Sequence, residues 1–213
     1  MMAGKIHSKV FVFNPFQENT YVLYRDDKKA VVIDPGMSNH QEEQELSGFL
    51  KNQGLELQAV LLTHAHVDHI LGLNFIHQEY DVPVVLHEDS IAVLNGVPQH
   101  ARMYGFSWSP EDYHFQVINE HEQTILGLSV LHVPGHVPGH LVFVSESTDE
   151  AWVGDVLFYE SIGRTDLPGG DYQLLIQGIK SKVFKLNDTT KVYAGHGPST
   201  SIGHEKVANP FLT

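Results

Sequence analysis

The sequence predicts an α/β fold in which mixed β-sheets are flanked by helices. Three observations lead there. Strand-like and helix-like segments interleave along the whole chain. Meandering β segments recur in both halves, and the residues able to do chemistry sit where buried strands end. The 213 residues contain no evident linker or strong repeat, so residues 1–213 read as one domain with a large core.

Lys9 to Asn14 alternates and is β-branched and aromatic, which predicts a strand. Thr20 to Tyr24 is a second strand, Asp26 to Lys29 a polar turn, and Ala30 to Asp34 a third strand that is apolar until Asp34. Ser38 is placed to cap a helix over Asn39 to Asn52, ended by Gly54. Ala59 to Thr63 is again a buried strand. Ile70 to Tyr80 has helical spacing, Val82 to Leu86 is a short strand, and Glu88 to Leu94 a short helix. Asn95 to Glu111 has no clear periodicity and holds Gly96, Pro98, Gly105 and Pro110. It is expected to be a long connection, with Tyr104, Phe106 and Trp108 either covering substrate or packing on the core. Strands are expected over Tyr113 to Asn119, Gln123 to Leu126, Leu128 to Val133, His140 to Ser145, Ala151 to Gly154 and Lys191 to Ala194. Helices are expected over Gln173 to Leu186 and Ile202 to Asn209.

Composition narrows the function. With 42% hydrophobic and 18% charged residues the chain can bury a core. A net charge of −13 repels phosphate backbones and anionic bilayers, so neither nucleic acid nor membrane is an expected partner. The absence of cysteine excludes disulfides, thiolate zinc sites and cysteine nucleophiles. Met1 to Val10 has no apolar core of signal-peptide length and no stretch is long enough for a membrane span, so a cytoplasmic protein is expected. The 15 histidines stand out, because imidazole is the commonest metal ligand.

Their placement carries the chemistry. His64-Ala65-His66-Val67-Asp68-His69 follows a buried strand directly. Alternate residues of an extended segment point the same way, so His64 and His66 can face one ion. A turn at Val67 would carry Asp68 and His69 towards a second. Buried polar groups need partners, and three imidazoles and one carboxylate do not readily satisfy one another. His136, Asp155 and His196 also follow predicted strands, each beside glycine. Seven such residues exceed the needs of one tetrahedral zinc and suit two divalent ions: zinc first, with iron or manganese also compatible.

The histidine run, His136, Asp155 and His196, in this order and spacing, resemble the metallo-β-lactamase superfamily. The likeness extends from Ala30-Val31-Val32-Ile33-Asp34-Pro35-Gly36 to Gly195-His196-Gly197. Pro134-Gly135-His136-Val137-Pro138-Gly139-His140 and Ser161 to Gly170 are most similar to its hydroxyacylglutathione hydrolase (glyoxalase II) branch. The resemblance implies a four-layer αββα sandwich of two mixed sheets. It implies that His64, His66 and His136 bind one ion, that Asp68, His69 and His196 bind the other, and that Asp155 bridges them. Full-length glyoxalase II proteins have a helical C-terminal domain that holds glutathione. This chain stops at Thr213, so it resembles the short, single-domain type, and Val137 stands where the family usually has threonine.

The function so implied is hydrolysis of a small-molecule thioester of the hydroxyacylglutathione type by a metal-bridging hydroxide, oriented in part by Asp68. No dedicated general acid is evident, which favours thioesters and activated esters over amides. Asp34 is placed either to hydrogen-bond a ligand histidine from behind or to cap the Pro35-Gly36 turn. Arg164 is placed to brace Asp166 or to reach substrate. His140 is read as structural, and His114, His121, His132 and His204 as ordinary. Competing readings are a mononuclear iron persulfide dioxygenase using a subset such as His64, His136 and Asp155, a hydrolase of another ester or lactone, a lactamase, and an inactive binding module. No Gly-x-Ser-x-Gly elbow or phosphate-binding Gly-x-x-x-x-Gly-Lys motif offers another enzyme class.

Overall fold

Side chains alternate across a strand, so a strand that is apolar at every position must bury both faces. The first half of the chain obeys this. In the computed structural model, which describes residues 5–122, 124 and 126–213, six strands form one sheet in sequence order. They are β1 (Ile6–Phe13), β2 (Glu18–Arg25), β3 (Lys29–Ile33), β4 (Glu56–Leu61), β5 (Val84–Leu86) and β6 (Phe115–Val117). The first three pair antiparallel through tight turns, and β3 to β6 pair parallel. Val22, Val32, Val60 and Val84 point to one side, where they pack with α1 (His40–Gln53), α3 (Leu73–Tyr80) and α4 (Glu88–Met103). Leu23, Val31, Ile33, Leu61 and Val85 point to the other.

That second face meets another sheet. β7 (Ser129–His132), β8 (Leu141–Ser145), β9 (Glu150–Gly154), β12 (Lys191–Ala194) and β13 (Thr200–Ser201) form five strands in the order β13-β12-β9-β8-β7. Val130, Leu141, Phe143 and Trp152 project from it into the core shared between the sheets. Its outer face, with Val142, Val153 and Val192, is covered by α5 (Tyr172–Ser181) and α6 (Ile202–Ala208). The layers are therefore helix, sheet, sheet, helix. A small hairpin of β10 (Leu157–Phe158) and β11 (Ser161–Ile162) and the four-residue helix α2 (Val67–Ile70) complete the elements, with a single 3-10 turn at Val183–Lys185.

One rim stitches the sheets together. Asn19 donates from its backbone to Gly195 and from its side chain to Ala194 and Gly197, and the Tyr21 hydroxyl donates to Ala194. Leu141 donates to the Thr63 carbonyl at 2.7 Å. The strand ends that carry the chemistry are held at this rim.

Several expectations shift. The cap of α1 is Asn39, whose side chain accepts from the backbone of Gln41 and Glu42; Ser38 instead bonds Glu42. The helix expected from Ile70 is two, α2 and α3, broken at Leu71–Gly72. The largest correction is at Asn95 to Glu111. Residues up to Met103 continue α4 as a 16-residue helix that runs through Pro98. Leu94, Val97 and Ala101 form a buried stripe at helical spacing, which outweighs the hydrogen bond that proline forfeits. Only the segment after Tyr104 is irregular, and Trp108 there is buried in the core. The strand expected over Gln123 to Leu126 includes Gln123 and Ile125, which lie outside the described residues; Thr124 bonds Leu128 across a turn. The short strands β10, β11 and β13 carry too few residues for a periodic signal. Among the described residues, no helix is long and apolar enough to cross a membrane.

Candidate metal centre

Beyond β4 the chain stays extended through His66 and then turns into α2, so one short segment delivers two imidazoles and then Asp68 and His69. His136 comes from the loop after β7, Asp155 from the end of β9 and His196 from the end of β12. All seven residues singled out in the sequence meet at the rim between the sheets. A Cβ at Gly195 would run into Asp155 Oδ1 and His69 Cε1, so this turn needs glycine for the groups to converge.

Two neighbouring clusters result. The potential ligand atoms of His64, His66 and His136 lie within 4.8 Å of one another, as do those of Asp68, His69 and His196. In the first, the three rings are 4.5–4.9 Å apart and nearly perpendicular. His136 Nε2 lies 2.9 Å from His66 Nδ1. In the second, Asp68 Oδ2 lies 3.2 Å from His196 Nε2 and 3.8 Å from His69 Nε2. Asp155 stands between them: Oδ1 is 3.4 Å from His69 Nε2, and Oδ2 is 3.7 Å from His136 Nε2 and 3.6 Å from His196 Nε2.

Hydrogen-bond accounting fixes which nitrogen faces inward. The Nδ1 atoms of His136 and His196 contact the carbonyls of Arg164 (2.7 Å) and Phe16 (3.1 Å); a carbonyl only accepts, so each Nδ1 donates and each Nε2 keeps its lone pair for the centre. His69 Nδ1 donates to Asp34 Oδ2 at 3.0 Å. The Thr63 hydroxyl donates to Asp34 Oδ2 at 2.5 Å, and so accepts from His64 Nδ1 at 3.0 Å. Asp34 Oδ1 takes the Thr63 backbone N–H at 2.7 Å. Asp34 thus braces ligand-type residues rather than capping Pro35-Gly36, whose Gly36 N–H goes to Thr20. His140 accepts the Asp155 backbone N–H at 3.2 Å and has a structural part.

Electrostatics match this wiring. Burial, then neighbouring imidazoles, hold His64 well below the usual histidine range; burial and then His136 lower His66 to about 3. Burial opposes ionisation of Asp155, but His69, then His136 and His196, hold its carboxyl far below the usual range. Burial likewise opposes charge on His69, yet Asp155 and Asp68 raise its affinity for a proton well above normal. Neutral imidazoles at His64 and His66, an ionised Asp155 and, at His69, a nitrogen with high affinity for positive charge are what a hard or borderline cation needs. The residues fit such ions on a further observation. Buried His64 Nε2, His69 Nε2 and Asp155 Oδ1 have no hydrogen-bond partner, although buried polar atoms seldom go unpaired.

Arg164 pairs with Asp166 through two contacts of 2.7 and 2.8 Å, both side chains being largely exposed. Its backbone carbonyl, not its guanidinium, touches the centre. The sequence did not point to Thr63 or to the Phe16 carbonyl; the position of Thr63 between a buried strand and His64 was the available signal. His87, Asp89 and His132 also come within reach of one another. The His87 and His132 rings stack at 4.0 Å and 14°, so their lone pairs lie in near-parallel planes and do not converge.

A cleft of about 480 Å³ opens over the centre, with His66, Asp68, His136, Asp155 and His196 at its floor. Its walls are mainly apolar and come from α4, Phe16 and the Leu167–Pro168 segment. A second, more open cleft of about 470 Å³ shares His136, Asp155 and His196 and is bordered by Phe158, Tyr159 and Pro198.

Comparison with known proteins agrees with this architecture. A family model described as the metallo-beta-lactamase superfamily matches residues 13–196. The chain is 36% identical over 202 residues to a Haemophilus influenzae protein named hydroxyacylglutathione hydrolase GloC, covering 92% of this chain and 93% of that one. Among solved structures, the BLEG-1 B3 metallo-beta-lactamase superposes with a TM-score of 0.86 at 40% identity, covering 97% of this chain and all of that one. TTHA1623 in a di-iron-bound form superposes with a TM-score of 0.87 at 35% identity, covering 96% of this chain and all of that one.

Proposed function

The chain belongs to the metallo-beta-lactamase superfamily, whose members include metal-dependent hydrolases, and from that premise we propose that it hydrolyses thioesters of small thiol carriers with two divalent ions, zinc in each place. The observation that carries the two-ion reading is the set of orphaned, buried ligand atoms on His64, His69 and Asp155. In this reading His64, His66 and His136 hold one ion, Asp68, His69 and His196 the other, and Asp155 both.

When bound, the ions supply an acidified water and positive charge for a developing oxyanion. The remaining work falls to the chain. Asp34, Thr63 and the carbonyls of Arg164 and Phe16 keep the imidazoles in the tautomers that ligation needs. Asp68, on the cleft floor, is placed to accept a hydrogen bond from the attacking water and so to orient it. The apolar walls exclude competing water. Apart from the ligand set, the titratable residues lining the cleft are His100, Tyr104 and Arg164. Arg164 is tied to Asp166, and His100 and Tyr104 are exposed at the end of α4. None is a buried acid set to protonate a leaving amine, whereas a thiolate departs without one. This favours thioesters over amides, and the relative named hydroxyacylglutathione hydrolase supports the same class.

The 40% identical structure titled a B3 metallo-beta-lactamase supports lactam cleavage as a second reading, and the di-iron form of TTHA1623 supports iron as a second metal. Elemental analysis of purified protein, run beside thioesters, β-lactams and a glutathione persulfide, tests all of these. Two zinc ions per chain with preferential thioester turnover is expected. Faster lactam turnover, or a single iron with oxygen consumption, overturns the proposal.

A further inference from the structure

We propose that the 480 Å³ cleft selects the acyl half of the substrate, and that it takes an apolar acyl group. This inference rests on the thioester reading above and names its substrate class.

The wall opposite the metal-binding rim is built from Phe16, Val93, Val97, Met103, Tyr104 and Leu167. Phe16 lies in the turn between β1 and β2, and its ring meets Tyr104 edge-on at 5.1 Å, so the hairpin tip and the end of α4 form one surface. Met103 is 75% exposed and Tyr104 54% exposed, so large apolar area faces the cleft mouth uncovered. Such area is costly to leave in water when it is contiguous, and it is regained when an apolar group covers it.

The polar inventory of the same cleft is short. His66, Asp68, His136, Asp155 and His196 belong to the metal-binding set. The Tyr104 hydroxyl and His100 lie at the exposed end of α4, and the Arg164 guanidinium spends two donors on Asp166. The stretch lined by Phe16, Val93, Val97 and Leu167 offers only methyl groups and a ring, so it suits a chain without polar substituents. The second cleft meets the first at His136, Asp155 and His196, and it is more open to solvent. A thioester with its carbonyl over those shared residues places one half in each cleft. Both are mainly apolar; the more enclosed one suits the acyl chain, which gains most from leaving water, and the more open one the thiol carrier, whose polar end stays in solvent.

Binding and turnover test this separately. S-alkyl thioethers of N-acetylcysteamine, from ethyl to hexyl, are titrated into the purified metal-loaded protein by calorimetry. The matching S-acyl thioesters are assayed for hydrolysis. The expected result is a dissociation constant that falls about fourfold per methylene, with kcat/KM rising in parallel. Met103→Glu, at an exposed position, flattens the chain-length series several-fold, and Met103→Leu restores it. Binding independent of chain length overturns the inference. Chain-length-dependent binding without hydrolysis of any thioester supports the apolar cleft and counts against the thioester reading alone.

Discussion

The metal-binding rim and the α4 wall of the same cleft follow opposite rules. At the rim oriented hydrogen bonds aim the ligand-type side chains, the atoms they aim inward on His64, His69 and Asp155 are left without a partner, and these side chains are buried or half-buried. Along the wall the side chains are apolar, several are exposed, and contacts are made by rings and methyl groups rather than by oriented bonds. The difference separates two tasks. Directional bonding at the rim sets which reaction is possible, while the wall sets which substrate half is retained.

Changes at the rim should be the most damaging. Replacing Asp155 by Ala removes the group between both clusters, and is expected to lower metal content below two ions per chain and kcat/KM by roughly a thousandfold or more. Elemental analysis and steady-state kinetics check this, and retained dinuclear metal refutes a bridging role. Asp34→Asn leaves the ligand set intact but weakens the brace on His69 and Thr63. Metal affinity, read by chelator competition, should fall about 10- to 100-fold; an unchanged affinity would make Asp34 a fold residue only. A change on the wall sharpens the contrast: Met103→Glu should leave metal content at the wild-type value while altering KM for long-chain substrates several-fold. Loss of metal in that variant would join the two regions into one.

A last contrast concerns acid stability of metal-free protein. Burial and the neighbouring His136 lower His66 to about 3 in the folded protein, against its ordinary 6.5 in the unfolded chain. Below 6.5 the unfolded chain takes a proton that the native protein refuses, so this residue withdraws stability as pH falls from 6.5 towards 3, by up to about 1.4 kcal/mol per pH unit. His64, His136 and His140 act in the same direction, and His69 in the opposite one. His66→Asn, which cannot be protonated there, should flatten the fall in Tm between pH 7 and 5. An identical slope in both proteins would contradict neutral burial of His66.

The rim was largely legible in the sequence, and the wall was not. His64 to His69 announce themselves because ligand-type residues rarely crowd the end of a buried strand, and glycine flanks His136, Asp155 and His196. The apolar runs Ala30 to Ile33 and Ala59 to Leu62 likewise required cover on both faces, which pointed to sheets flanked by helices, whereas the four-layer order came from the family resemblance. The wall depends on α4, and there Pro98 and Gly96 masked a helix that tertiary burial of Leu94, Val97 and Ala101 sustains. Phe16 was invisible for another reason. Its backbone carbonyl meets His196 at a sequence separation of 180, and no local pattern encodes a backbone acceptor that distant. Asp34 was legible as a choice between two partners, which only the position of His69 decided.

The stitching of the rim across two sheets bears on how the molecule comes into being. His64, His66, Asp68 and His69 extend from the first sheet, and His136, Asp155 and His196 from the second; even the adjacent pair His66 and His136 is 70 positions apart. During synthesis, an emerging chain therefore displays only the histidine run until the second sheet forms, and the last imidazole follows β12. On the proposed ligand assignment, ion capture with full affinity requires both sheets to be docked, and it would close long loops that join them. Bound metal would then act as a clasp between the two halves of the chain.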